Sequence, residues 1–191
     1  MGSLKGTRTE KNLLAAFAGE SQARNRYTYA AGVARKEGYL QIAEIFEETA
    51  ANEREHAKRF FKFLQGGMVE ITASYPAGPI GTTEENLAAA AAGEHEEWSE
   101  LYPEFARIAN EEGFADVAVA FTMIARAEQA HETRYNKLRA NVRDKKVFAK
   151  EQPTRWKCRN CGYVHDGPEA PGKCPACLHE QKHFEVFAET Y

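Results

Sequence analysis

The strongest constraint on this chain is a short sequence that it uses twice. Glu53-x-x-His56 returns as Glu128-x-x-His131. A carboxylate and an imidazole three residues apart share one face of a helix. Each pair sits inside an apolar stripe. The first stripe is Ile42, Phe46, Ala50, Glu53, His56/Ala57, Phe60 and Leu64; the second is Val117, Phe121, Ile124/Ala125, Glu128, His131, Tyr135 and Leu138. The repeat extends outward. Gly38-Tyr39-x-x-Ile42-Ala43-x-x-Phe46 matches Gly113-Phe114-x-x-Val117-Ala118-x-x-Phe121 at an offset of 75. Ala18-Gly19-Glu20 matches Ala92-Gly93-Glu94, but at an offset of 74. The second half therefore carries one extra residue, absorbed either by a π-bulge in its first helix or by a longer turn.

Periodicity and punctuation place four helices. Thr7-x-x-Glu10 and Thr82-x-x-Glu85 are capping boxes that open the first and third. Glu37-Gly38 and Glu112-Gly113 are helix ends, each followed almost at once by another helix, from about Tyr39 to Leu64 and from Phe114 to Asn141. Short links make two antiparallel hairpins. Residues 68–82, rich in Pro and Gly, are expected as an extended crossover. Pro103 inside the third helix predicts a kink or irregular turn near Tyr102. The expected organisation is a helical bundle over 1–145, a charged linker over 146–155 and a cysteine-rich unit over 156–191.

Two glutamates complete a pattern around the repeated pairs. Glu20 and Glu94 lie 18 and 19 residues before their turn glycines, and each Glu-x-x-His lies 15 after. At 1.5 Å per residue, all six side chains fall at one level of the bundle. A buried ion-pair network does not explain them, because the stripes offer almost no cations, Arg24 being the nearest candidate. Unpartnered buried carboxylates each cost several kcal/mol, and bound metal removes that cost. An oxygen-rich set with two imidazoles suits iron or manganese better than zinc. Glu97, one turn after Glu94, breaks the symmetry, since its counterpart is Ala23. Four glutamates balance two ferrous ions, and a fifth is favoured by two ferric ions. Glu97 and His56 are therefore expected to exchange at one metal. Tyr27 and Tyr102 fall on inner faces near this level, as carboxylate partners or as core filler. His95, Glu96, Glu47, Glu48 and Glu55 are expected in solvent.

All four cysteines lie near the C-terminus, as Cys158-x-x-Cys161 and Cys174-x-x-Cys177. Two such knuckles make a tetrahedral thiolate site. Spacing alone does not separate structural zinc from a one-iron electron-transfer centre. Trp156, Tyr163, Phe184 and Phe187 are the candidate shield, with His165, His179 and His183 at the surface. The net charge of −3 gives no field for nucleic acid, and no apolar run is long enough to span a bilayer. Met1–Lys5 lacks the apolar core of a secretory signal, so the expected location is the cytoplasm.

Together these motifs resemble the rubrerythrin family over essentially the whole chain: Gly19-Glu20, Glu53-x-x-His56, Gly93-Glu94-x-x-Glu97, Glu128-x-x-His131 and Cys158-x-x-Cys161-Gly162-Tyr163 with Cys174-Pro175-x-Cys177. The resemblance implies a mainly α protein, a ferritin-like four-helix bundle followed by a small rubredoxin-like metal-binding β/loop domain. It implies two irons on Glu20, Glu53, His56, Glu94, Glu97, Glu128 and His131. A third iron sits on Cys158, Cys161, Cys174 and Cys177, a position that zinc can take in recombinant material. The implied activity is a non-haem di-iron peroxidase reducing hydrogen peroxide to water, with Glu97, His56, Tyr27 and Tyr102 around the reacting centre. Electrons would come through the Fe(Cys)4 centre from a donor such as rubredoxin or an NAD(P)H-linked reductase, in a homodimer. The alternative is ferritin-type iron oxidation and storage, which requires a closed cage. An oxygenase or desaturase acting on an organic substrate would need a pocket opening onto the irons.

Overall fold

The computed structural model describes residues 2–190. Helices α1 (Arg8–Lys36) and α2 (Leu40–Phe61) form the first hairpin. The second comprises α3 (Thr83–Glu96), a π-helical turn (Glu97–Leu101), α4 (Tyr102–Glu111) and α5 (Ala115–Arg143). The two hairpin turns close identically. Gly38 and Gly113 take the left-handed conformation at φ +86° and +83°, which glycine adopts without strain. The Tyr39 N–H then donates to Ala34 O and the Phe114 N–H to Ala109 O, both at 2.8 Å.

The hairpins cap each other. The Glu112 carboxylate accepts from the Arg8 and Thr9 N–H groups at 3.2 and 2.9 Å and from the Thr9 hydroxyl at 2.6 Å. Glu37 accepts from the Thr83 N–H at 3.1 Å. A carboxylate at a helix N-terminus satisfies free N–H groups and the helix dipole together. Each turn thus meets the start of the other hairpin, so the turns lie at opposite ends of the bundle. The chain leaving α2 must travel the bundle's length to begin α3. Residues 62–82 do so as a strap without helix or strand, as the Pro/Gly content predicts. Thr82 opens α3 with a complete capping box. Thr7 caps α1 through the Glu10 N–H, while Glu10 reaches back to the Gly6 N–H instead of that of Thr7.

The one-residue slip between the repeats is taken up by the π-turn, not by a longer hairpin turn. The Tyr102 N–H donates five residues back to Glu97 O, which inserts one residue without breaking the helix. Pro103, with no N–H to give, follows at the second position of α4.

Two apolar clusters fill the bundle, one on each side of the carboxylate level. The first includes Tyr27, Ala30, Ile42, Phe46, Leu87 and Tyr135. The second includes Leu13, Phe60, Tyr102, Phe114, Val117 and Phe121. Among the described residues, no helix is long and apolar enough to cross a membrane.

The C-terminal unit is a three-stranded antiparallel sheet, order β2-β1-β3, of β1 (Ala149–Cys158), β2 (Val164–Glu169) and β3 (Phe184–Val186). Strand β1 takes in residues 149–155, which the sequence reading assigned to a linker. The pairing shifts register between Ala149 and Thr154, and that irregularity accommodates Pro153, which has no N–H to give to a ladder. Trp156, Phe184 and Tyr163 pack around the cysteines as expected, joined by Phe148. Phe187 does not; its ring lies under the Arg155 guanidinium, 4.5 Å from centroid to Cζ. The unit rests on the first hairpin, where Phe148 stacks on Tyr39 at 6.4 Å and Arg159 pairs with Glu44.

Candidate metal centres

Four helices bring the predicted carboxylates and imidazoles to one level, where two groups of ligand atoms each fall within 4.8 Å. Glu20, Glu53, His56 and Glu128 form one; Glu53, Glu94, Glu128 and His131 form the other. Glu53 and Glu128 belong to both, so the arrangement offers two positions bridged by two carboxylates. Glu20, Glu53, Glu94, Glu128 and His131 are buried and His56 is half-buried. Glu97 belongs to neither group. It is half-buried at the start of the π-turn and lines a cavity beside α1.

The atoms converge without satisfying one another. His131 Nδ1 lies 2.8 Å from Glu128 Oε2 and 3.2 Å from Glu53 Oε1. His56 Nδ1 lies 2.8 Å from Glu53 Oε2 and 2.9 Å from Glu128 Oε1. Yet Glu20 Oε2, Glu53 Oε1, Glu94 Oε2, both Glu128 oxygens and His131 Nδ1 are buried with no hydrogen bond. Each such atom carries its full desolvation cost. Lone pairs aimed at shared points between side chains fit cations at those points, and this donor set fits a di-iron pair.

Electrostatics agree. Burial, then the charges of Glu97, Glu128 and Glu53, push the Glu20 carboxyl well above the usual range, against a hydrogen bond from Tyr102. Burial likewise raises Glu94 to about 8 and Glu97 well above its ordinary value, the latter with Glu94, Glu128 and Glu53 adding to it. For His56, burial opposes protonation, but the close carboxylates of Glu128 and Glu53 outweigh it and raise the imidazole to about 10. The cluster holds surplus negative charge that protons or metal must neutralise. Arg26 draws Glu97 partly back down. The relevant cation is thus Arg26, not Arg24, which is exposed; helix phase turns Arg24 outward.

Tyr27 donates to Glu94 Oε1 at 2.6 Å and Tyr102 to Glu20 Oε1 at 2.5 Å. These tyrosines are themselves related by the offset of 75, a repeat signal that identifies them as carboxylate partners, not filler. His95, Glu96, Glu47, Glu48 and Glu55 are exposed as expected.

In the C-terminal unit, all four sulfurs lie within 4.8 Å of one another. Cys158 Sγ is 3.8 Å from Cys177 Sγ, and Cys161 Sγ is 3.6 Å from Cys174 Sγ. A tetrahedron with metal–sulfur bonds of about 2.3 Å has edges of about 3.8 Å, so the cage already has ligand dimensions. The His179 backbone N–H holds the Cys177 thiol down to about 6, while burial raises Cys158, so a bound metal would be what ionises the full set.

Fold and sites define a ferritin-like di-iron carboxylate bundle joined to a rubredoxin-like four-cysteine unit. Residues 11–139 match the Rubrerythrin family and residues 156–185 the rubrerythrin rubredoxin-like domain. The chain belongs to the rubrerythrin family. It is 60% identical over 186 residues to rubrerythrin of Nitratidesulfovibrio vulgaris, covering 97% of each chain. It is also 60% identical to rubrerythrin of Clostridium perfringens, with both chains fully covered. The fully reduced, all-ferrous structure of nigerythrin aligns with a TM-score of 0.64 at 33% identity, over 97% of this chain and 92% of that one.

Proposed function

We propose that the protein is a peroxidase reducing hydrogen peroxide to two waters, with Glu20, Glu53, His56, Glu94, Glu97, Glu128 and His131 serving the two irons. The observation that carries this reading is the placement of His56 and Glu97. His56 occupies the ligand group of Glu20, while Glu97 stands outside it and faces the cavity. Two side chains thus compete for one coordination position, and whichever leaves opens it to substrate. Held by these residues as a ferrous pair, iron would supply two electrons, which together with two protons convert peroxide to two waters.

The chain's own residues supply the rest. Glu97, raised by burial, carries a proton when turned to the cavity and moves it inward. Tyr102, whose hydroxyl burial and the neighbouring Glu20 charge keep protonated, holds Glu20 at the changing end. Tyr27 holds Glu94 at the fixed end. Cys158, Cys161, Cys174 and Cys177 hold the centre that returns electrons singly from a donor such as rubredoxin or an NAD(P)H-linked reductase. Four thiolate ligands suit a reducing compartment, the cytoplasm.

Within one chain, Arg159 of the four-cysteine unit meets Glu44, nine residues or about 14 Å along α2 from Glu53. A homodimer that brings the partner's four-cysteine unit to the carboxylate level provides a second electron route. Mixing a variant lacking cysteine ligands with one lacking Glu97 restores turnover if electrons cross between subunits. The primary test is rapid mixing of the reduced protein with peroxide and, separately, with dioxygen. Faster reoxidation of the Fe(Cys)4 bands by peroxide is expected, and the reverse order overturns the reading.

A further inference from the structure

A cavity of about 670 Å³ lies between α1, the π-turn and residues 70–76 of the strap, with Tyr27, Glu97 and Tyr102 among its lining. One wall is a polar stripe along α1: Asn12, Gln22 and Arg26, at helical spacing. Asn12 Nδ2, Gln22 Oε1 and Arg26 Nε are buried there with no protein partner. A roomy cavity walled by polar side chains holds water.

The outer wall is the strap. Among the described residues, residues 66–80 make one hydrogen bond to the bundle, from the Tyr75 hydroxyl to Ala15 O at 2.7 Å. A Cβ at Gly19 would stand 3.6 Å from the Tyr75 ring and 4.0 Å from Glu97 Oε1. Both the latch and Glu97 thus lie in van der Waals range of the backbone beside Glu20. Long connections without secondary structure are usually functional, and this one covers the approach to Glu97.

We propose that this cavity is the peroxide inlet, and that Tyr75, by pinning the strap, sets the size of hydroperoxide admitted. The proposal rests on the peroxidase reading above. Hydrogen peroxide donates and accepts hydrogen bonds as water does, so it exchanges for water along Asn12, Gln22 and Arg26 without leaving them bare. An organic hydroperoxide offers one O–H on an apolar body, so it displaces more of that water than it replaces, which penalises its entry.

Two variants of the loaded protein test the inlet. Ile71→Trp adds bulk to the cavity from the strap, and Tyr75→Ala removes the latch. Each is followed by the rate of azide binding to the oxidised protein and by kcat/KM for hydrogen peroxide and cumene hydroperoxide. Ile71→Trp is expected to slow azide binding and lower kcat/KM for hydrogen peroxide at least about fivefold, with kcat retained. Tyr75→Ala is expected to raise the ratio of cumene hydroperoxide to hydrogen peroxide turnover at least about fivefold. Gln22→Leu, which removes a water anchor without bulk, gives the first result in the same direction if the tryptophan is not accommodated. A wild-type azide rate in both Ile71→Trp and Gln22→Leu, or an unchanged substrate ratio in Tyr75→Ala, overturns the proposal. If the wild type reduces no peroxide, the peroxidase reading falls, while the azide rates still decide whether the cavity is the way in.

Discussion

The two hairpins of the bundle carry the same parts and use them differently. Each has a lone glutamate, a Glu-x-x-His pair, a tyrosine bonded to the other hairpin's glutamate and a turn glutamate that caps the other hairpin. The first runs α1 unbroken for 29 residues. The second interrupts its matching helix with a π-turn, and at that interruption stands Glu97. The imidazoles differ as well: the His56 side chain is 16% exposed and that of His131 9%. Shared parts build the cage, and Glu97, where the first half has Ala23, puts an extra carboxylate on one side. The asymmetry at Glu97 is thus a substitution, and the inserted residue follows it within the π-turn.

Substitutions at the two ends should break this comparison most visibly. His131→Ala is expected to lose bound iron, whereas Glu97→Gln is expected to keep it and lose about a hundredfold in peroxide turnover; iron analysis beside steady-state kinetics separates the two. Equal iron loss in both would erase the distinction.

Removing the metals tests the charge that both ends share. Glu20, Glu94 and Glu97 are raised and His56 and His131 are raised, to about 10 and about 12. The folded metal-free protein therefore binds more protons than the unfolded chain above the ordinary carboxylate range, so stability is present at low pH and lost as pH rises. Glu128, held down by both imidazoles, opposes this but is one group against five. From about pH 5 towards pH 8 the metal-free melting temperature should fall by about 3–5 °C per pH unit for each extra proton. The loaded protein should be flatter in the same calorimetric series.

Smaller effects are expected at the tyrosines. Tyr102→Phe and Tyr27→Phe each remove a hydrogen bond to a carboxylate, of about 1.5–3 kcal/mol. Tyr102→Phe should lower the peroxide rate more, because Glu20 belongs to the changing end. The caps should show the smallest difference. Glu112→Ala removes four bonds and Glu37→Ala one, so chemical denaturation should place the first about 1 kcal/mol below the second.

Helix number, hairpin pairing, ligand level and thiolate cage were legible because periodicity, turn glycines and Glu-x-x-His spacing are local signals. The slip between the repeats was equally legible, but its location was not. Both a π-turn and a longer loop satisfy an offset of 74, and only the Tyr102-to-Glu97 bond distinguishes them. Tyr27 and Tyr102 carried a repeat signal that hydrophobic patterning masks, since a buried tyrosine reads as core. Arg24 and Arg26 differ only in helix phase, and a cation's burial depends on which neighbour leaves it room. Strand β1 was obscured by charge and Pro153, which mark a linker unless a register shift absorbs them. The strap's course against α1 is a tertiary matter with no local signature.

The reciprocal caps of Glu37 and Glu112 have a consequence for autonomy. Each first helix has a cap of its own, but further N–H groups at its start are closed by a carboxylate of the other hairpin. Severed at the strap, each half would present a free helix start and a free turn glutamate, complementary to a copy of itself across a two-fold axis. The bundle is in this sense an isologous pair written into one polypeptide. Covalent joining is what permits the halves to diverge, because a residue inserted into one is no longer inserted into both.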